Sequence, residues 1–233
     1  MKFSKRHVRR SITVLALPIM LAGCAGGSGS MLSMSYSRIG AFSQYAELKD
    51  GRYTVPAIDL RVIDPQMLRQ VVDYQTKEPP GTIVVDTAAR HLYLVEAGGK
   101  AMRYGIGVGK AGLAFQGNAT ISRKGEWPHW APTEAMMTRE PKRYRKWASG
   151  MDGGLGNPLG ARAMYLYQNE RDTMFRIHGT TEPETIGHAV SSGCIRLMNQ
   201  DVIDLYSRVK LGTHVVVIQP AVMSGVQSAA VAN

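Results

Sequence analysis

From Gly81 to Gln219 the chain is laid out as short β-type segments separated by turn residues, and this pattern limits the fold more than any other feature. Thr82 to Asp86 is rich in β-branched residues. In the next segment Leu92, Leu94 and Glu96 share one strand face, and Tyr93 and Val95 share the other. Ala97-Gly98-Gly99-Lys100 reads as a turn into a partner strand over 101–108. Further strands are expected at 119–123, 163–167 and 174–178, with a closing strand at 213–219. The clearest helix runs from Asn199 to Val209, where Val202, Leu205, Tyr206 and Val209 follow the helical period and Asn199 can cap the start. Gln66 to Tyr74 is read as a second, short helix, with Asp64 as its cap and Pro65 in its first turn. The expected fold is mainly β, with one or two helices.

The amino end is of a different kind. Lys2, Lys5, Arg6, Arg9 and Arg10 precede a mostly apolar run from Ile12 to Leu21, and Leu21-Ala22-Gly23-Cys24 follows. A basic opening, an apolar core and small residues make a bacterial secretory signal over 1–23. The last four residues resemble a lipobox, which implies acylation of Cys24 and a lipid-held mature chain. No apolar run is long enough for a membrane-spanning helix. Residues 24–35 read as a flexible tether, 36–79 as an extension before the domain, and 220–233 as a frayed tail. Removal of 1–23 takes five bases and no acids, leaving 23 bases against 18 acids, a net of +5. So mild a basic excess on an exported chain does not indicate nucleic acid; it suits anionic partners such as lipid head groups or wall polymer.

Several motifs attract attention for weak reasons. Gly107-Val-Gly109-Lys-Ala-Gly112 has the spacing of a dinucleotide fingerprint, but turn-like residues follow where a helix is required. His178, His188 and Cys194 could serve as metal ligands, yet they lack a paired-ligand spacing, so no metal is expected. Arg139 to Trp147 reads as a solvated basic loop, or as a rim for an acidic, sugar-containing substrate near Tyr144 or Trp147.

The chemically informative stretch is Ile177-His178-Gly179-Thr180, Gly187, and Ser191-Ser192-Gly193-Cys194-Ile195-Arg196-Leu197. With Cys24 acylated, Cys194 is the remaining thiol. A thiol reacts as thiolate, and an imidazole can take its proton and return it to a leaving amine. His178 ends an expected strand, and the loop to Cys194 is long enough to fold back. Gly193 permits a sharp turn, whose amides could donate to an oxyanion. Taken alone, the residues leave two readings open: a reactive Cys–His pair, or a buried thiol and a core histidine.

The same stretch resembles the signature of the L,D-transpeptidase (YkuD-like) catalytic domain. The resemblance rests on IHGT, IGHAVSSGCIRL, NQDVIDLY and the closing GTHVVVI, and it covers 80–219. It implies a β-sandwich or open barrel. It also implies that Cys194 is the acylated nucleophile, His178 the general base, and the Gly179 carbonyl the group that orients the imidazole. Ser192, Gly193 and Cys194 would form the oxyanion turn, and Arg196 would hold a substrate carboxylate or brace that turn. Many members carry histidine where this chain has Ser192. The implied activity is cofactor-free transfer from a peptidoglycan tetrapeptide stem to an amine of a second stem or of an envelope protein, with inactivation by carbapenems. A hydrolase with the same residues and a non-catalytic wall-binding lipoprotein are the alternatives. The expected location is the cell envelope, with the domain facing the periplasm.

Overall fold

The computed structural model describes residues 40, 43–109, 115–191 and 193–218. The signal segment, Cys24, the tether, the tail and Ser192 therefore lie outside the described residues, as do positions 110–112 of the glycine motif. In chain order the strands are β1 (Leu48–Asp50), β2 (Tyr53–Val55), β3 (Gln70–Asp73), β4 (Ile83–Asp86), β5 (His91–Glu96), β6 (Lys100–Gly105), β7 (Val108–Gly109), β8 (Gly117–Glu126), β9 (Arg162–Gln168), β10 (Arg171–His178), β11 (Ala189–Ser191), β12 (Ile195–Arg196) and β13 (His214–Ile218). The helices are α1 (Glu134–Arg139), α2 (Pro141–Tyr144) and α3 (Asn199–Arg208).

Nine strands form one mixed sheet in the order β12-β10-β9-β8-β13-β4-β5-β6-β3. The β10/β12 and β4/β13 pairs are parallel, and the other neighbours are antiparallel. The sheet curls until its β12 edge meets the chain leaving β6. Gly107, just after β6, exchanges backbone hydrogen bonds of 2.9 and 2.8 Å with Arg196 of β12. The β-branched run of β4 lies at the centre, with Ile83 and Val85 fully buried. Val202 and Leu205 of α3, with Val209 just after it, close the same core, as their spacing requires. The fold is thus mainly β.

Three local expectations are corrected. Asp64 does cap a turn and Pro65 does begin it, but the turn is a single 3-10 turn over Pro65–Met67. The chain then extends into β3, whose pairing with β6 outweighs the local helical signals. The 139–147 segment is not a loop. Thr133 caps α1 through the Met136 amide, and α2 and a 3-10 turn over Arg145–Trp147 follow. Among the described residues α3 has ten residues and α1 and α2 only six and four, in keeping with a mainly β fold with few helices. Finally, α3 starts from Met198 with no side-chain cap, and Asn199 is used elsewhere.

The described part of 36–79 packs onto the domain. Tyr45, Ile63 and Met67 form a second apolar cluster with Ile186 and Met198. Asp50 receives two hydrogen bonds from the Arg162 guanidinium, at 2.7 and 2.8 Å, and one from the Trp127 indole at 2.8 Å.

Candidate active site

β10 ends at His178, and the chain then makes a loop that returns as β12 alongside it. The register pairs Ile177 with Ile195 and His178 with Arg196. The return is fixed by the Leu197 amide, which donates to the His178 carbonyl at 2.8 Å. Cys194 precedes Ile195, so it falls opposite Arg176. Alternate residues of a strand face the same way. Arg176 and His178 on one chain, and Cys194 and Arg196 on the other, thus make a two-by-two array. All four line one cleft of about 1310 Å³. Trp130, Tyr144 and Trp147 also line it, so the basic segment contributes its aromatic residues to the cleft wall.

His178 is buried, and its Nδ1 lies 2.6 Å from the Gly179 carbonyl oxygen. A carbonyl only accepts, so Nδ1 carries the proton and Nε2 is left as the acceptor. Burial pushes the imidazole down to about 4, helped by the charges of Arg196 and Arg176 and opposed by the Gly179 carbonyl. Cys194 keeps some surface exposure, yet enough atoms surround the sulfur to desolvate it, and this raises the thiol. A hydrogen bond from the Arg176 backbone and the charges of Arg176 and Arg196 act against that rise. Both effects favour the uncharged forms, the neutral thiol and the neutral imidazole.

Gly193 adopts φ +133°, in the region open to glycine, which gives the turn before Cys194 its direction. The glycines that mimic a dinucleotide motif have a packing reason. A Cβ on Gly109 would stand 2.6 Å from the Gly193 Cα, and one on Gly107 would stand 3.0 Å from the Thr185 carbonyl oxygen. Gly109 lets β7 lie against the turn before Cys194, and Gly107 lets its approach lie against the loop at Thr185.

Asn199 braces the histidine side. Its Oδ1 accepts from the Ala161 amide and its Nδ2 donates to the Thr180 carbonyl, both at 2.9 Å. A Cβ on Gly179 would collide with that Oδ1. Arg196 donates to Glu182 at 3.0 Å at the cleft mouth. His188 does not join His178 and Cys194 in a ligand set; among the described residues no three His, Cys, Asp or Glu side chains gather in that way. Sequence reasoning missed Asn199 as a brace, and it missed Arg176. The signal for Arg176 was present, since a residue two before His178 on a strand must share its face.

The family model for the L,D-transpeptidase catalytic domain (YkuD) matches residues 80–218. The chain belongs to the L,D-transpeptidase family. Members of this family are acyltransferases that act on peptidoglycan. The chain is 35% identical over 143 residues to the probable L,D-transpeptidase ErfK/SrfK of Escherichia coli (strain K12), covering 60% of this chain and 44% of that one. It is 34% identical over 144 residues to the probable L,D-transpeptidase YcfS of the same organism, covering 60% and 44%. The match thus spans less than half the length of these curated relatives. A solved structure from Brucella melitensis, titled as a probable carnitine operon oxidoreductase caia, is 57% identical, with a TM-score of 0.47, and covers 69% of this chain and 99% of that one. Among the described residues no helix is long and apolar enough to cross a membrane.

Proposed function

We propose that this L,D-transpeptidase family member forms a thioester between Cys194 and a peptidoglycan tetrapeptide stem and passes the acyl group to an amine. The observation that carries the reading is the His178 ring, tied through Nδ1 to Gly179 in the same cleft as Cys194. Sγ of Cys194 attacks the carbonyl of the third stem residue, and its proton moves to Nε2 of His178. The tetrahedral oxyanion is stabilised by amides of the turn around Gly193 and Cys194. Collapse expels the terminal D-alanine, whose amine takes the proton from His178. An amine of a second stem, or of an envelope protein, then attacks the thioester. It gives its proton to His178, which returns it to the departing sulfur. Arg196, held by Glu182, is suited to a substrate carboxylate. The lipobox-like Cys24 supports a lipid-anchored enzyme of the cell envelope, facing the periplasm.

Purified protein incubated with tetrapeptide muropeptides tests this. The expected result is cross-linked dimers and free D-alanine from the wild type, and neither from Cys194→Ala. Tripeptide monomers without dimers would assign hydrolysis instead. Absence of both products and of any acyl adduct on Cys194 would overturn the reading.

A further inference from the structure

Arg176 stands at the fourth corner of the array described above, outside the signature that carries the family resemblance. Its placement is unusually determined. The Asp172 carboxylate accepts from both terminal nitrogens of the guanidinium, at 2.7 and 2.9 Å. The same carboxylate accepts from the Met174 amide at 2.7 Å. Between Asp172 and Arg176 the register of β10 against β9 shifts, and Met174 takes φ +62°, a conformation costly for a residue with a side chain. The Thr173 hydroxyl donates to the Leu166 carbonyl at 2.6 Å and pins the other side of the irregularity. The Arg176 guanidinium lies 4.4 Å from the centroid of the Tyr165 ring, with only 13% of the side chain exposed. A strained bulge, a two-point ion pair and an aromatic shelf thus hold one cation at the register position of Cys194.

We infer that Arg176 is a positioning residue that, with Asp172 as its counter-charge, sets the reactivity of the Cys194 sulfur. A cation held in a desolvated wall favours the thiolate that forms during attack, and the carboxylate beside it moderates that effect. Among the described residues, the charged and titratable groups near the sulfur include Arg176, Asp172 and His178 from β10, Arg196 from β12 and Glu182 from the connecting loop, with Tyr165 of β9 and Tyr144 of α2 lining the same cleft. Arg196 is neutralised by Glu182 at the mouth as Arg176 is by Asp172 within the wall. The inference rests on Cys194 being the nucleophile, but its test does not need a wall substrate.

The test is the pH dependence of iodoacetamide alkylation at Cys194, read by peptide-resolved mass spectrometry on the full chain. The thiolate displaces iodide, so the rate follows the ionised fraction. Arg176→Gln is expected to slow alkylation about tenfold at neutral pH and shift its profile to higher pH, and Arg176→Lys to restore most of the rate. Asp172→Asn keeps an oxygen for the Met174 amide, removes the counter-charge, and is expected to speed alkylation roughly threefold. Both changes break the same ion pair, so a purely structural role would move them in one direction. Opposite shifts support the inference; shifts of one sign, or none, overturn it. Should Arg176→Gln not fold, Asp172→Asn decides with Arg176→Lys as its control: faster alkylation of Asp172→Asn beside a near-wild-type rate for Arg176→Lys supports the inference, and slower or unchanged alkylation of Asp172→Asn overturns it. Failure of stem transfer with these opposite shifts intact would count against the proposed function alone.

Discussion

The Nδ1 atom of His178 and the carbonyl oxygen of Gly179 are 2.6 Å apart, a contact between sequence neighbours that fixes which ring nitrogen faces the cleft. It works together with burial. The ring is held in one tautomer and kept uncharged until strongly acidic pH.

The first expectation concerns the acid limb of acylation. Protonated His178 cannot receive the thiol proton, and the ring titrates near 4, not near the usual 6.5. Single-turnover acylation of Cys194 followed by mass spectrometry should therefore hold its rate from neutral pH down to about 5 and fail near 4. A half-rate point near 6.5 would contradict this.

Stability should show two opposing slopes. For His178 the folded value of about 4 lies below the unfolded 6.5, so the unfolded chain binds more protons between them. Stability from this group is full above 6.5 and falls as pH drops toward 4, by on the order of 3 kcal/mol. Asp201, buried and hydrogen-bonded by Tyr45, is pushed up to about 7 from 3.8, mainly by burial. Its contribution is full below 3.8 and is lost as pH rises through 7. Urea unfolding of His178→Gln should thus reveal stability falling with rising pH, and Asp201→Asn the reverse, with a flatter wild type between them.

Asn199→Ala should cost about 2–4 kcal/mol in urea unfolding, because it strands the Ala161 amide and the Thr180 carbonyl. Asn199→Asp keeps the acceptor and should lose roughly half as much. Both should slow acylation, since the residues that release are neighbours of His178. Equal stability of wild type and Asn199→Ala would refute the bracing role.

Gly109→Ala should destabilise by about 1–3 kcal/mol and displace the turn before Cys194, because the new methyl would stand 2.6 Å from the Gly193 Cα. Gly125→Ala, where the new carbon meets Pro128 at an ordinary 3.5 Å, is the control. Acylation rate and urea midpoint measured on both variants check this, with loss confined to Gly109→Ala.

The parts legible in the sequence are those whose local signals agree with their surroundings. The β-branched residues of Ile83–Asp86 are buried in a sheet, and the apolar stripe of Asn199–Arg208 faces the core. Tertiary pairing hid the rest. Asp64 and Pro65 carry genuine start signals, but Lys100–Arg103 offers a free strand edge, and the Asp73–Lys100 ion pair at 2.6 Å supports the extended form. Gly107 and Gly109 were visible as glycines, but their cause is a backbone approach made through space, not along the chain. For the site, His178 and Cys194 stand out by residue type and context, whereas Arg176 acquires meaning only from the bulge and the parallel register.

The strap before the family-matched region has a practical consequence for anyone who shortens this gene. Cloning from Pro80 would strip Asp50 from a guanidinium that is only 7% exposed, leaving Glu126 at 3.7 Å beside it. It would also leave Ile186, in the loop between His178 and Cys194, and Met198 facing solvent without Met67 and Tyr45. A truncation that looks like tidy removal of an appendage would instead yield a sticky, poorly behaved product.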